Sequence, residues 1–441
     1  MTVVAGASPA RVVAIRVLHR IAVDGAWASP ALDAELARSK MDPRDAALAT
    51  EIVYGTLRTL VRLDADIDRL LARGASSLEP LARAALRAAA YQLAHLSRVP
   101  PHAVVSDTVT IVRQARGEGL ARLANAVGRK LAAARPAAPE PPRCMELPPW
   151  LDVLLRSALG ESRAGEFVVA RPLPPPTGLR VATSRVDRDA LAEQIRAVRP
   201  DADVRPGSVS ARALLVRGVG DPRTLPGYAQ GLFTVQEEGS QQVALLAGVQ
   251  PGEQILDACA GRGGKTTLFA ELVGDAGHVV AVDLHEAKLD KITVELGRLE
   301  IAASRLSVLA VDLAVGAGGL DARFDRVFVD APCTGLGTVH RRPELLLRLR
   351  PEDPARLADA QLRILTTAAG LVRPGGVLCY SVCSPTREEG AGVADRFELA
   401  RPGVTRLADE GADPDGITRL GPWSAPADGP DAYQLARWLV R

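Results

Sequence analysis

Lysine is nearly missing from this 441-residue chain: only five of its 54 basic residues are lysine, and the rest are arginine. Arginine is the cation better suited to bidentate phosphate contacts and stacking, although a G+C-rich coding sequence also enriches arginine and alanine. Cysteine is scarce as well. Cys144, Cys259, Cys333, Cys379 and Cys383 are odd in number and scattered, which argues against a disulfide framework and leaves each thiol to be judged for reactivity. Although 47% of the chain is hydrophobic, no run of about 18 residues is free of charge or polarity. MTVVAGASPARVV also lacks the basic-then-apolar order of a signal peptide. A membrane span and a secretory leader are therefore not expected, and a cytoplasmic location is.

The chain is too long for one ordinary core, so roughly two to four domains are expected. Net charge is near zero, but unevenly spread: residues 1–135 hold 19 basic against 12 acidic side chains, and residues 136–441 hold 35 against 40. A basic module joined to an acidic remainder fits an RNA-docking appendage, since phosphate contacts supply most non-specific affinity. From Pro9 to Ala134 apolar residues recur at helical spacing, as in Leu57, Leu60, Val61 and Val105, Val109, Val112. Pro136, Pro139, Pro141, Pro142, Pro148 and Pro149 then read as a stiff linker, and Pro172, Pro174, Pro175 and Pro176 close a short helical piece at about 150–170. GLRVATS, DALAEQIRAV and ALLVRG suggest a small α+β unit between Thr177 and Phe233.

From Gln254 onward strand-like runs alternate with helices: QILDA, HVVAVD, LSVLAVD, RVFVDAP and GGVLCYSVCS. This is the rhythm of a doubly wound parallel sheet, whose ligands sit beyond the carboxyl ends of the strands. Those ends carry Asp257, Asp283, Asp312, Asp330 and Cys383. In the loop 259–267, Gly264-Lys265-Thr266 imitates the end of a Walker A motif, but Cys259 stands where that motif needs glycine, which leaves an NTPase the poorer reading. The better one is a strand turning through glycines into a helix N-terminus, where backbone N–H groups meet the carboxylate of S-adenosylmethionine (SAM). Asp283, 19 residues past Gly264, is placed to accept from ribose hydroxyls. That spacing suits NAD equally. Asp312 on the next strand can take an adenine amino group or a held water.

Two segments separate these readings, Asp330-Ala331-Pro332-Cys333-Thr334-Gly335 and Tyr380-Ser381-Val382-Cys383-Ser384. Carbon 5 of cytosine is not nucleophilic, and a thiolate added to carbon 6 turns the ring into an enamine that can attack a sulfonium methyl group. Methylation of oxygen or of an exocyclic nitrogen needs no such thiol. Cys379, opposite in direction to Tyr380, is expected in the core.

GLFTVQEEGSQ (231–241), ILDACAGRGGKTT (255–267), DAPCTGLGTVHRRPE (330–344) and YSVCSPTREEG (380–390) together resemble the RNA 5-methylcytosine methyltransferases. Upstream, ATEIVYGTLRTLVRLD, LRAAAYQLAHLSRVPPHAVV and LANAVGRKL resemble the NusB antitermination-factor domain, a fusion typical of the RsmB (Sun/Fmu) family of bacterial 16S ribosomal RNA cytosine-5 methyltransferases. The resemblance implies an all-α NusB-like RNA-binding domain at 1–135, a Pro-rich linker with a short helical piece at 136–176, a small α+β unit of RRM-like type at 177–233 and a Rossmann-like methyltransferase domain at 234–441. It implies Cys383 as nucleophile, Cys333 as the group that assists product release, Asp330 as the residue that hydrogen-bonds and activates the cytosine, and Lys265 as a positioning group. SAM would be held by Cys259, Ala260, Gly261, Arg262, Gly263, Gly264 and Lys265 with Asp283, Asp312 and Asp330, and no metal is implied.

This chain departs from the family's usual pattern at Gly261-Arg262, in place of Ala-Pro, at His285, in place of an acid, and at Asp431-Ala432-Tyr433-Gln434, in place of Asp-Gly-Phe-Phe. Arg262 could neutralise the methionine carboxylate, and Asp431 is a weak candidate near the site floor. Arg341 and Arg342, with Arg348 and Arg350 beyond them, are placed to meet phosphates near a base that has left its stack. The partner implied is 16S ribosomal RNA in an unassembled or partly assembled small subunit, met by a monomer. A transfer RNA cytosine-5 methyltransferase and a non-catalytic RNA-binding assembly protein are the competing readings.

Overall fold

Prolines open several helices of the N-terminal part. The computed structural model describes residues 6–142, 144–169, 174–320, 324–409, 411–425 and 428–441. In it α1 (Pro9–Asp24), α2 (Ala28–Ser39), α3 (Pro43–Arg58), α4 (Leu60–Asp68), α5 (Pro80–His95), α6 (Pro101–Arg116) and α7 (Glu118–Ala133) follow one another. Pro9, Pro43, Pro80 and Pro101 stand in first turns, where a missing N–H costs nothing and the fixed φ suits the helix. Asp42 caps α3 by accepting from the N–H groups of Arg44 and Asp45 at 2.8 and 3.0 Å. Alanine-rich α5, with its own Leu86 fully buried, shares the core with Ile15, Ile52 and Leu57. At Gly55 of α3 a Cβ would stand 2.0 Å from the Tyr91 ring of α5, so the close packing of these two helices needs the missing side chain.

These helices form one compact unit, made of the described residues within Met1–Val153 and Gly165–Pro175 together with Val339–Leu349. The last segment comes from the stretch expected as methyltransferase domain. Within the helical unit Arg58 Nε donates to the His340 carbonyl at 3.0 Å, Glu344 accepts from Ala28 N–H at 3.1 Å, and the Arg348 guanidinium lies 4.0 Å from the Trp27 ring centre. The chain changes unit at Pro175–Pro176, beside the boundary expected at 176, whereas neither unit ends at 135 or 233, and composition cannot report which surface a short excursion packs against. In the expected linker, α8 (Pro149–Val169) is broken at Gly160, whose φ is 74°. Pro172, of the second proline cluster, lies outside the described residues.

The second compact unit comprises Leu154–Ala164 and the described residues of Pro176–Thr338 and Arg350–Arg441. It holds two sheets. β1 (Thr177–Val181), α9 (Arg188–Val198), β2 (Asp203–Pro206), β3 (Ala213–Arg217) and β4 (Phe233–Val235) form an antiparallel sheet of order β2-β3-β1-β4 over a core of Leu179, Leu191, Ile195, Leu214 and Phe233. After α10 (Glu238–Leu246) the larger sheet begins. Its elements are β5 (Gln254–Asp257), α11 (Gly264–Leu272), β6 (His278–Asp283), α12 (Glu286–Arg298), β7 (Leu306–Ala310), β8 (Phe324–Asp330), α13 (Asp353–Ala369), β9 (Val372–Val382), α14 (Ala391–Ala400), β10 (Val404–Leu407), β11 (Thr418–Leu420) and β12 (Tyr433–Val440). The order is β10-β12-β9-β8-β5-β6-β7, with β11 also on β12.

From β9 to β7 the strands are parallel, as expected, and Leu256, Val327 and Leu378 face one core while Ile255, Phe328 and Cys379 face the other. The far side differs from a purely parallel sheet: β12 runs antiparallel to β9, and β10 and β11 run antiparallel to β12. Asp312 falls two residues past the end of β7, in a turn, and not on the strand itself. Among the described residues no helix is long and apolar enough to cross a membrane.

Candidate active site

The first turn after β5 is shaped by two glycines in the left-handed region. Gly261 has φ 58° and Gly263 φ 85°, and a Cβ at 263 would lie 2.8 Å from Ile292. The N-terminus of α11 carries no side-chain cap, and nothing stands within 4 Å of where a Cβ on Gly261 would point. That open, N–H-rich cradle fits the carboxylate of a SAM-type cofactor. Arg262 is exposed beside it. Asp283 holds the loop: its carboxylate accepts from Gly261 N–H at 3.0 Å, from His285 N–H at 2.9 Å and from Lys288 Nζ at 3.1 Å. Asp312 accepts from Ala314 N–H at 2.9 Å, inside its own turn.

Asp257, at the end of β5, is buried and accepts from Thr266 Oγ1 at 2.7 Å. Burial pushes its carboxyl up to about 7. Burial, with the neighbouring carboxylates of Asp257, Asp330 and Asp283, also holds the Cys259 thiol well above its ordinary range.

Where β8 and β9 end, the structure brings four of the expected residues together. Register pairs Asp330 with Ser381, and Ala331 N–H donates to the Ser381 carbonyl at 2.9 Å, so the two strand exits leave side by side. Cys333 Sγ and Cys383 Sγ are 3.3 Å apart. Lys265 Nζ, from the first turn of α11, donates to Asp330 Oδ2 at 2.5 Å and lies 5.7 Å from the centre of the Tyr433 ring. Burial opposes a charge on Lys265, but the carboxylate of Asp330 and the nearby Cys383 outweigh it and raise its affinity for the proton. For Cys333 the shared hydrogen bond with Cys383, then burial, push the thiol well above its ordinary value. Gly337 is required by close approach: its N–H donates to the Cys383 carbonyl at 3.0 Å, and a Cβ there would meet the Ala432 carbonyl at 1.9 Å.

Arg341 and Arg342 group instead with the helical unit, where the Arg342 guanidinium lies 5.9 Å from the Trp27 ring centre. Cys379, expected in the core, is fully buried there. Four further residues support the site, of which Tyr433 and Gln434 stand in a segment singled out by sequence as a departure from the family pattern. Tyr433 stands over Lys265, and Gln434 donates from Nε2 to the carbonyls of Ser384 and Thr386 at 2.8 and 2.7 Å. Buried Arg180 of β1 donates to the Gly264 carbonyl, to Thr267 Oγ1 at 2.8 Å and to Gln236 Oε1 at 2.6 Å, so the small sheet braces the first turn of α11. Glu389 is the fourth. Its local signal is the hydroxyl-rich run Ser384-Pro385-Thr386 ahead of an acid, but the partners that give it meaning, Thr334 and Gln361, lie 55 and 28 positions away. Among the described residues no cluster of three or more His, Cys, Asp or Glu could hold a metal ion.

A family model described as 16S rRNA methyltransferase RsmB/F matches residues 244–419, and a NusB family model matches residues 8–133. The probable ribosomal RNA small subunit methyltransferase B of Bacillus subtilis (strain 168) is 30% identical over 404 residues, covering 89% of this chain and 88% of its own. Ribosomal RNA small subunit methyltransferase B of Vibrio vulnificus (strain YJ016) is 31% identical over 409 residues, covering 92% and 94%. The crystal structure of PH0851 shares the fold, with a TM-score of 0.82 at 22% identity over 98% of both chains. Likeness over nearly the full length of both bacterial relatives, with the NusB match lying ahead of the methyltransferase match in this chain, places the chain in the RsmB/F family of 16S rRNA methyltransferases carrying an N-terminal NusB-type domain.

Proposed function

We propose that the protein transfers a methyl group from SAM to carbon 5 of a cytosine in small-subunit ribosomal RNA, with Cys383 as the nucleophile. The observation that carries this reading is the pair of thiols 3.3 Å apart beside the Lys265–Asp330 ion pair. One thiol suffices for a nucleophile. A second at that distance suits a reaction with two steps at adjacent ring carbons, addition at carbon 6 and elimination across carbons 5 and 6.

When bound, SAM supplies the methyl group on its sulfonium, held by the 259–265 loop with Asp283 and Asp312. Cys383 adds as thiolate to carbon 6, and the ring's electron pair moves to carbon 5, which would take the methyl group as the S–CH3 bond of SAM breaks to leave S-adenosylhomocysteine. Asp330, fixed by Lys265, hydrogen-bonds the ring, and the Lys265 ammonium beside it offsets the negative charge that addition places there. Cys333, as thiolate, then takes the carbon 5 proton, the electron pair returns to the ring bond, and the carbon–sulfur bond breaks to release Cys383 as thiolate. The target base leaves its stack to reach the thiols, while Arg341, Arg342 and the basic helical domain meet phosphates.

Incubation of unmethylated small-subunit RNA with tritiated SAM tests the reading. Wild type transfers label to carbon 5, and Cys383→Ala drops transfer by about 10³-fold or more. Cys333→Ala accumulates RNA-linked protein, seen as a retarded band in a denaturing gel. Full activity in Cys383→Ala would remove the nucleophile assignment, and a normal band in Cys333→Ala would remove the release role. Label found in transfer RNA and not in ribosomal RNA would overturn the substrate.

A further inference from the structure

Glu389 is fully buried between β9 and α14, and its two carboxylate oxygens take five hydrogen bonds. Oε1 accepts from the Thr334 backbone N–H at 2.7 Å and from Gln361 Nε2 at 3.2 Å. Oε2 accepts from Thr334 Oγ1 and Ser384 Oγ, both at 2.6 Å, and from Thr386 Oγ1 at 3.0 Å. Among the described residues none of these partners is a cation. Thr334 directly follows Cys333, and Ser384 directly follows Cys383. One side chain therefore grips both thiol-bearing loops, each a single residue beyond its sulfur.

Two more anchors converge on the same place. Gln361 Nε2 donates to the Pro332 carbonyl at 3.0 Å, and the Tyr380 hydroxyl donates to Gln361 Oε1 at 3.0 Å and to the Glu389 carbonyl at 2.5 Å. Burying a carboxylate among neutral donors is costly unless every lone pair is met, and apolar packing would join two loops at less expense. Such a hub belongs where geometry matters more than stability, and a misplacement of about 1 Å at reacting atoms can cost about 100-fold in rate.

We propose that Glu389 is the positioning residue for both thiols: by binding Thr334 and Ser384 together it holds Cys333 and Cys383 in register toward adjacent carbons of one bound ring. This deepens the cytosine-5 reading above and rests on it. The charge of Glu389 also acts on Cys333, where, after the hydrogen bond from Cys383, burial and the charge of Cys383, it adds to the rise in that thiol's affinity for a proton.

A thiol-bridging bimane, fluorescent only when it spans two thiols, reads the register without RNA or SAM. Wild type should bridge Cys333 to Cys383, and Glu389→Ala should slow bridging by about tenfold or more while iodoacetamide still alkylates Cys383 at its normal rate. Glu389→Gln keeps the shape and an acceptor for the Thr334 N–H, and should recover bridging to within about threefold. In methyl transfer, Glu389→Ala should lose about 100-fold in kcat with the KM values for RNA and SAM within about threefold. Bridging at the wild-type rate in Glu389→Ala, or lost bridging with unchanged kcat, overturns the proposal. If Glu389→Ala does not fold, Ser384→Ala and Thr334→Ala decide in its place: slower bridging supports the proposal and unchanged bridging in both overturns it. A wild type that makes no 5-methylcytosine while Glu389→Ala still loses bridging would fell the cytosine-5 reading and leave the positioning role standing.

Discussion

Asp257 is an acid that the interior forces toward its neutral form. Removal from water is the main cause, and the hydrogen bond from Thr266 opposes it only in part. The folded state thus holds this proton more tightly than the unfolded chain does. As pH rises from the ordinary carboxyl value of 3.8 to about 7, the unfolded chain gives up its proton first and unfolding gains. The contribution of Asp257 to stability is therefore lost across that window and flat above it. Asp257→Asn keeps an acceptor for Thr266 and cannot titrate. Denaturant melts of the two proteins should converge toward low pH and diverge in favour of the variant toward neutrality, and parallel curves would count against the shifted carboxyl. At this scale the sequence made the thiols legible, because a cysteine after a strand carries its chemistry in its type. Glu389 and Arg180 were not legible, and Asp257 only as a strand-end acid, since what distinguishes them is burial and partners that include residues 9, 55 and 87 positions away in the chain.

Among the elements, the long amphipathic helices and the parallel strands follow from periodicity and glycine punctuation. β2 and β4 are four and three residues long, too short for a period of two to show. β12 is long but covered on both faces through most of its length, so it has no alternation to read. Its antiparallel place beside β9 brings Tyr433 over Lys265 and pairs Gln434 with Val382. The departure from Phe-Phe to Tyr-Gln thus falls on a strand that supports the site, where the Gln434 amide holds the Ser384 and Thr386 carbonyls. Helix packing yields a prediction at Gly55. Alanine there gains about 1 kcal/mol of helix propensity, but its Cβ would stand 2.0 Å from the buried Tyr91 ring. Overpacking costs roughly 1–3 kcal/mol, so Gly55→Ala should be net destabilising in a urea melt of the full chain, and a stabilised variant would mean that the ring yields freely.

Over the whole molecule, two compact units each own a core, and the chain passes into the helical unit at Val339 and back out at Arg350. Composition separated a basic helical part from an acidic remainder, and the NusB-family match covers that basic part. If phosphate contacts by this part supply the affinity, binding of the full chain to unmethylated small-subunit RNA should weaken by about tenfold or more between about 50 and 200 mM salt. An affinity that does not change with salt in a filter-binding or anisotropy titration would rule out the electrostatic role.

The sequence by itself determined the helical and doubly wound classes, the glycine loop and both thiols, because periodicity, backbone permissiveness and nucleophilicity are properties of residue types at short spacing. Only the tertiary structure decided that the thiols meet, that Lys265 reaches Asp330, that Glu389 joins both loops and that residues 339–349 pack with the helices. Each of these depends on strand register and burial, which arise when distant segments exclude water together and which no local pattern encodes.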